Sequence, residues 1–233
     1  MVDFAGVKSI TIPEGSVKKI TAKGVVLWEK VMEGLPSIYQ EVEWVQAASG
    51  VGAYLDLGFC FDKAASMEIG AYNYAADTQI FGAAENTGKL RCMMNLPYTT
   101  NGIASFYGST GSAYLNKTYA MNSGKNEFEF SLKKGELRIK RKDSDTIGIA
   151  TTQGEYTMTS HLLLFAQNYN GTPRYAGTRR VYYFKYYDKD NTLICDLIPC
   201  YRKSDGVIGM YDVVRKIFLT NAGTGSFTKG ADV

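Results

Sequence analysis

Two pairs of carboxylates stand at i and i+2 where apolar and polar residues alternate: Glu41/Glu43 in "EVEWV" and Glu127/Glu129 in "NEFEFSL". On a strand that spacing puts both acids of a pair on one face. Two carboxylates about 5–9.5 Å apart across a glycosidic bond are the requirement for glycoside hydrolysis. Each pair, however, has an apolar opposite face, the pattern of a strand whose acids face water. His161 is the only histidine, so Ser-His-Asp or Cys-His chemistry must pass through it. It directly precedes "LLLF", which places it at a strand edge. "GTGSFTKG" and "GSTGSAY" are glycine-rich, but no Gly-Lys-Ser/Thr element opens a helix, so no phosphate cradle is expected. "DKDN" (188–191) is the nearest approach to a calcium loop; it offers too few ligands and reads as a hairpin turn. The expectation is a protein without catalytic residues, metal or cofactor.

Two groups of residues suit binding instead. The densest run of charge is Lys133, Lys134, Arg138, Lys140, Arg141 and Lys142. Within it Arg138, Lys140 and Lys142 share the polar face of an alternating strand. They serve either as a solvated edge that discourages strand-to-strand aggregation or as a contact for an anionic glycan or an acidic neighbour. The second group lies in "QNYNGTPRY" (167–175): Asn168, Tyr169, Asn170, Arg174 and Tyr175. Aromatic rings stack on sugar faces and amides bind hydroxyls, so this composition suits glycan contact. Loop tyrosines such as Tyr98, Tyr107, Tyr114 and Tyr119 equally serve as packing lids.

Bulk properties narrow the class. The chain has 233 residues, 45% hydrophobic, with 17 Tyr, 11 Phe, 2 Trp and 24 Gly. Tyrosine and phenylalanine fit a half-buried pleated surface and glycine supplies turns, so an all-β protein is predicted. A net charge of +3 is too mild for a nucleic-acid binder, which carries a concentrated basic face. No apolar run reaches the roughly 20 residues that span a bilayer, so no membrane insertion is expected. "MVDFAGVKSITIPEG" lacks a basic stretch followed by an apolar one, so no signal peptide is expected. The four cysteines, Cys60, Cys92, Cys195 and Cys200, form no Cys-x-x-Cys pair. Cys195 and Cys200 are five apart, so on one strand they face opposite sides and cannot bridge. All four are expected to be reduced, in a protein that folds in a cytoplasm.

Three segments follow from the patterning. Residues 1–33 read as a β-hairpin unit. "SVKKITAKGVVLWEK" carries the apolar set Val17, Ile20, Val25, Leu27 and Trp28 around a turn at "AKG" (22–24). So small a hairpin needs a neighbour to cover that set, which assigns it to attachment. Residues 34–40 read as a linker, with Gly34 and Pro36 as breakers. Residues 41–233 hold short strands at sandwich-like spacing. The clearest hairpin is "NEFEFSLKKGELRIKRK": Phe128, Phe130 and Leu132 share a face, the chain turns at Lys134-Gly135, and Leu137 and Ile139 return on the apolar side. "HLLLFAQN" is a continuous apolar run, either a strand buried on both faces or a steep corner. No amphipathic helix of three turns is found.

The last fifty residues carry a specific resemblance. The segment "RRVYYFKYYDKDNTLICDLIPCYRKSDGVIGMYDVVRKIFLTNAGTGSFTKG" (179–230) resembles the C-terminal part of concanavalin A-like (laminin-G-like) jelly-roll domains of phage tail and other virion proteins. The matching elements are "FKYYD" (184–188), "LIPC" (197–200), "SDGVIGMYD" (204–212) and "TNAGTGSF" (220–227). "ASGVGAYLDLGFCF" resembles the family's opening strand, with Tyr54, Asp56 and Gly58 in matching places; "TQIFGAA" and "HLLLFAQNYNGTP" resemble later ones. The likeness covers about residues 41–230.

It implies an all-β concanavalin A-like jelly-roll β-sandwich behind a small N-terminal β-hairpin. Gly206 and Gly209 are expected to allow tight turning, Tyr211, Val213, Ile217 and Phe218 to pack the sandwich, and "NAGTG" to return the last strand beside the first. Some relatives of this fold cleave glycans with a spaced acid cluster on one strand, which neither acid pair here reproduces. The implied function is a non-enzymatic phage virion protein whose projecting module binds a host-surface glycan or decorates the particle. The alternative is a purely structural cement between virion subunits, and a glycan-cleaving enzyme comes last. The implied partners are other virion proteins, further copies of the chain, and host cell-surface polysaccharide. The implied location is the virion, assembled in the host cytoplasm.

Overall fold

A computed structural model gives the architecture. It describes residues 19–22, 25–29, 34–48, 52–61, 65–72, 78–85, 90–96, 101–104, 106–107, 117–120, 125–133, 136–142, 147–150, 158–174, 176 and 178–233. The chain divides into two compact units, Met1–Pro36 and Ser37–Val233.

In the first unit β1 (Lys19–Ala22) and β2 (Val25–Glu29) pair antiparallel. Ile20 lies opposite Trp28 and Ala22 opposite Val25, and the expected turn residues Lys23 and Gly24 lie outside the described residues. The register slips between Ile20 and Thr21, which leaves Leu27 as the extra residue of a bulge. Val17 lies outside the described residues.

The regular structure of the second unit is strand, and no helix occurs among the described residues. Its strands are β3 (Tyr39–Glu41), β4 (Val45–Ala47), β5 (Leu55–Cys60), β6 (Ser66–Tyr72), β7 (Thr78–Glu85), β8 (Leu90–Leu96), β9 (Asn101–Ala104), β10 (Phe106–Tyr107) and β11 (Lys117–Ala120). The series continues with β12 (Lys125–Lys133), β13 (Glu136–Arg141), β14 (Ile147–Ala150), β15 (His161–Leu164), β16 (Gln167–Tyr169), β17 (Thr172–Arg174) and β18 (Arg180–Tyr187). It ends with β19 (Leu193–Arg202), β20 (Ile208–Asp212), β21 (Ile217–Thr220) and β22 (Phe227–Lys229).

The larger sheet has 11 strands, ordered β14-β13-β12-β6-β18-β19-β20-β21, with β3 beside β19 and β4 bridging β18 and β22. The smaller has 7, ordered β10-β8-β7-β15-β5, with β16 and β17 attached through β7. Strands β9 and β11 form a separate ribbon. Tyr39 and Gln40, expected in the linker, instead pair with Arg202 and Tyr201 as part of the large sheet. The two ends of the unit are adjacent as predicted: the last strand, β22, pairs with β4, the second of the unit, and Val42, next to β3, bridges to Asp232.

The two sheets meet over one core. Leu55, Leu57, Phe81, Leu162 and Leu164 of the smaller sheet join Met67, Ile69, Phe128, Phe130, Phe184 and Leu197 of the larger in a single cluster. Phe81 contacts Phe130 and Phe184 edge-on, with ring centroids 5.8 and 6.0 Å apart. Each such side chain contributes about 1.5–3 kcal/mol on burial. An exposed ion pair contributes at most about 1 kcal/mol. Apolar burial between the sheets therefore holds the unit together, and the outer faces are left free to vary.

Period-2 patterning predicts these faces well. Phe128 and Phe130 are buried while Glu129 and Arg138 are exposed. Phe130 pairs with Ile139, Ser131 with Arg138 and Glu129 with Lys140, which is the expected register. The turn at Lys134-Gly135 lies outside the described residues. The "HLLLFAQN" run satisfies both of its readings. Leu162, Leu163 and Leu164 are buried between β5 and β7, and Phe165 then turns the chain at φ 72°.

The C-terminal segment departs from expectation at Gly209 and Ile217. Gly206 sits in a turn at φ 70°, as foreseen. Gly209 lies within β20, and its role is close approach: a Cβ there would come within 2.1 Å of the Leu219 carbonyl oxygen. Met210 joins the cluster between the sheets, and Tyr211 is buried as expected, on the opposite face of β20. Tyr211 packs on Tyr39 at 5.1 Å, Phe218 packs on Tyr39 at 4.8 Å, and Ile217 is exposed. Alternation explains the difference: residues on β20 one apart must face opposite sides. Asn221 organises the closing turn. Its Oδ1 accepts from Gly223 N at 2.9 Å and from Tyr54 N at 3.2 Å, which ties the end of the chain to the approach to β5.

Candidate functional site

Cross-strand register assembles a polar grid on the outer face of the large sheet. In one row Lys140 faces Glu129, Glu129 faces Glu68, Glu68 faces Lys185 and Lys185 faces Asp196. In the next row Arg138 faces Ser131, Ser131 faces Ser66 and Ser66 faces Tyr187. These two rows surround a cleft of about 470 Å³ lined by Ser66, Glu68, Glu129, Arg138, Tyr187 and Asn191, among others. The cleft exists because of residue size: serines form its floor between long side chains on β13 and β18.

Its electrostatics are partly fixed. Glu68 accepts a hydrogen bond from Tyr187 Oη at 2.9 Å and an ion pair from Lys142 Nζ. Partial burial works to raise the Glu68 pKa, but the bonds from Lys142 and Tyr187 outweigh it and hold the carboxyl below its usual value. The converse holds for Lys142. Burial would lower its pKa, yet Glu68 raises it well above that of an ordinary lysine. Burial, then the neighbouring Glu68, pushes the Tyr187 hydroxyl up. Burial also pushes Tyr183 up to about 12. The Tyr183 ring lies over Gly70, where a Cβ would come within 2.7 Å of it. Lys142 and Lys125 approach that ring at 5.5 and 5.2 Å. Farther along the same face Arg180 is stacked on Trp44 at 3.8 Å.

The predicted basic trio therefore separates. The Lys142 ammonium is engaged by Glu68. Arg138 and Lys140 line the cleft, and no ion pair joins them to Glu129 among the described residues. The acid pairs separate too. Glu127 pairs with Lys125 at 3.1 Å, and Glu43 accepts from Ala231 N at 3.3 Å. The carboxylate that faces Glu129 is Glu68, which lies on another strand and was not singled out from the sequence.

The second predicted group sits on the smaller sheet, as the β16–β17 hairpin. Tyr169 faces Thr172, with Asn170 at φ 48° and Gly171 at φ 81° between them. That is a two-residue turn of the I′ type, for which Asn-Gly is the standard sequence. Asn170 thus shapes the backbone. Asn168 is buried and donates from Nδ2 to the His161 carbonyl at 3.0 Å. Tyr169 and Arg174 stack on each other at 4.3 Å, and Arg174 is exposed. Tyr175 lies outside the described residues.

His161 is held by Asp56, with Nδ1 3.0 Å from Oδ1, and its Cα partner across the strands is Cys60. Burial, together with the negative charges of Glu85 and Asp56, pushes the Cys60 thiol up, away from the thiolate a nucleophile needs. Glu85 is buried and accepts from Thr159 N at 2.6 Å and Thr159 Oγ1 at 2.9 Å, a bracing role. In "DKDN" Asp188 Oδ1 accepts from Asp190 N and Thr192 N at 2.9 and 2.8 Å, which closes the β18–β19 turn. No family model matches the chain, and neither does any curated protein.

Proposed function

We propose that the chain is a non-enzymatic phage virion protein. In this reading residues 37–233 form a concanavalin A-like jelly-roll module that binds a host-surface glycan or decorates the particle. The N-terminal hairpin, with Ile20, Val25, Leu27 and Trp28, attaches it to neighbouring virion proteins or to further copies of itself. The observation that carries the binding role is the cleft on the large sheet. Hydroxyls of Ser66, Ser131 and Tyr187, the Asn191 amide, two carboxylates and two cations converge on one open depression. Polyhydroxylated ligands are recognised by such sets of directed donors and acceptors, with tyrosine rings beside them. The virion assignment rests on the C-terminal resemblance, and the pairing of the last strand, β22, with β4 near the start of the unit supports the jelly-roll part of it. Labelling intact particles with an antibody to residues 37–233, and probing the purified protein on a glycan array, tests both parts. Particle labelling with array binding is the expected result. Particle labelling without binding to any glycan favours the cement role, and absence from particles refutes the virion reading.

A further inference from the structure

We infer that the large-sheet cleft takes an acidic saccharide, a polyhydroxylated chain bearing a carboxylate or phosphate, with its anionic group on the Arg138–Lys140 wall. The inference rests on the glycan-binding reading above and adds the ligand class and its orientation.

Charge complementarity carries it. Of the charged groups that line the cleft, Glu68 is already neutralised by Lys142, which stands at the end of the same hairpin. Arg138, Lys140 and Glu129 remain, so the cleft keeps one positive charge in excess. The positive charge is not spread evenly. Arg138 and Lys140 are two apart on β13 and so project from the same face as neighbours. Their partners on β12 are Ser131 and Glu129, and the uncharged serine hydroxyl does not offset the guanidinium charge. Arg138 is exposed and Lys140 half-buried, so both are open to a ligand.

The opposite wall has different chemistry. The Tyr187 hydroxyl is bound to Glu68, and Asn191 closes the depression at the β18–β19 turn. Tyr187 spends its proton on Glu68, so it presents a lone pair to the cleft, and the Asn191 amide presents both a donor and an acceptor. That wall suits hydroxyl or amide groups. Between the walls the Ser66–Ser131 floor gives room for a ring. The volume of about 470 Å³ lies inside the range of about 300–1,000 Å³ usual for small-molecule sites. A guanidinium and an ammonium on one wall recognise an oxyanion by charge-assisted bonds, roughly twice as strong as neutral ones.

The test uses the full-length protein in calorimetric titrations with oligogalacturonate (carboxylate), a glycerol-phosphate oligomer (phosphate) and cellohexaose (neutral). The variants are Arg138→Gln/Lys140→Gln and, with the same change in charge elsewhere on the surface, Lys203→Gln/Lys216→Gln, both exposed. One or both acidic oligomers should bind at least tenfold more tightly than cellohexaose. The cleft variant should lose that preference by about ten- to a hundredfold, and the control variant should keep it. Which acidic oligomer binds identifies the oxyanion. Equal binding of cellohexaose, unaffected in the cleft variant, overturns the acidic assignment and leaves glycan binding standing. Equal losses in both variants show diffuse charge attraction and overturn the site. Failure of all three ligands to bind the wild type overturns this inference together with the glycan reading beneath it.

Discussion

Arg215 joins the two sheets through the buried carboxylate of Asp212. Its Nε donates to Asp212 Oδ2 at 2.5 Å, and its Nη1 donates to the Leu57 carbonyl on the smaller sheet at 2.5 Å. Asp212 is fully buried and also accepts from the backbone nitrogens of Asp196 and Val214 at 3.2 and 3.0 Å. Asp212, the last residue of "SDGVIGMYD", is thus with Arg215 a clasp between layers. Replacing Asp212 with Ala should leave Arg215 without its counter-ion and cost about 3–5 kcal/mol. Urea unfolding measures this, and a loss under about 1 kcal/mol would mean that the clasp is ornamental.

Gly209 and Gly206 should respond differently to alanine. At Gly206 the cost is conformational, about 1–2 kcal/mol for a left-handed backbone with open space around it. At Gly209 a methyl would collide with the Leu219 carbonyl, so the β20–β21 pairing must open. Thermal denaturation should rank Gly209→Ala well below Gly206→Ala. The reverse order would refute the close-approach role.

Glu68 gives the protein an acid-side pH dependence. Its folded pKa lies below the unfolded one, so its carboxylate adds stability above about pH 4.3, and that stability is lost as pH falls through the folded value. Lys142 is shifted upward. Its contribution is full below about pH 10.4 and is lost as pH rises through its higher folded value. Urea midpoints across the acid range should therefore fall less steeply for Glu68→Gln than for the wild type. Parallel profiles would show that the Lys142 and Tyr187 contacts do not bias the carboxyl.

All four cysteines are free, as the sequence predicts, and they differ in access. Cys92, Cys195 and Cys200 are buried, whereas Cys60 is partly exposed. Burial pushes Cys200 up to about 12 and raises the other three thiols as well. A thiol reagent should find one slow group, Cys60, in the native protein and four after denaturation. Rapid reaction of two or more native thiols would contradict the packing around β19.

The two candidate sites were legible to different degrees. The β12–β13 hairpin announced its faces because apolar residues alternate strictly with charged ones, and a slip of one residue would have buried Arg138. The 167–175 segment was read by composition, which hid the Asn-Gly turn that fixes Asn170 and obscured the burial of Asn168. The cleft was not legible. Ser66, Glu68, Glu129, Arg138 and Tyr187 lie on four strands, and only the pairing of β6 with both β12 and β18 brings them together. That pairing is set by core burial on the opposite face, so no local spacing signals it. The Ile217 expectation fails for a related reason: the residue is apolar enough for the core, and nothing local signals that β21 ends the strand order of the large sheet, where Ile217 is exposed.

The central claim is that the large-sheet cleft, rather than the Tyr169–Arg174 hairpin, is the binding face. Filling the floor by Ser131→Trp and removing the hairpin ring by Tyr169→Ala separates the two. Both variants and the wild type would be titrated with the best ligand found on a glycan array. The expected result is loss of binding in Ser131→Trp with wild-type affinity in Tyr169→Ala. Retained binding with the cleft filled, or loss confined to Tyr169→Ala, would contradict it.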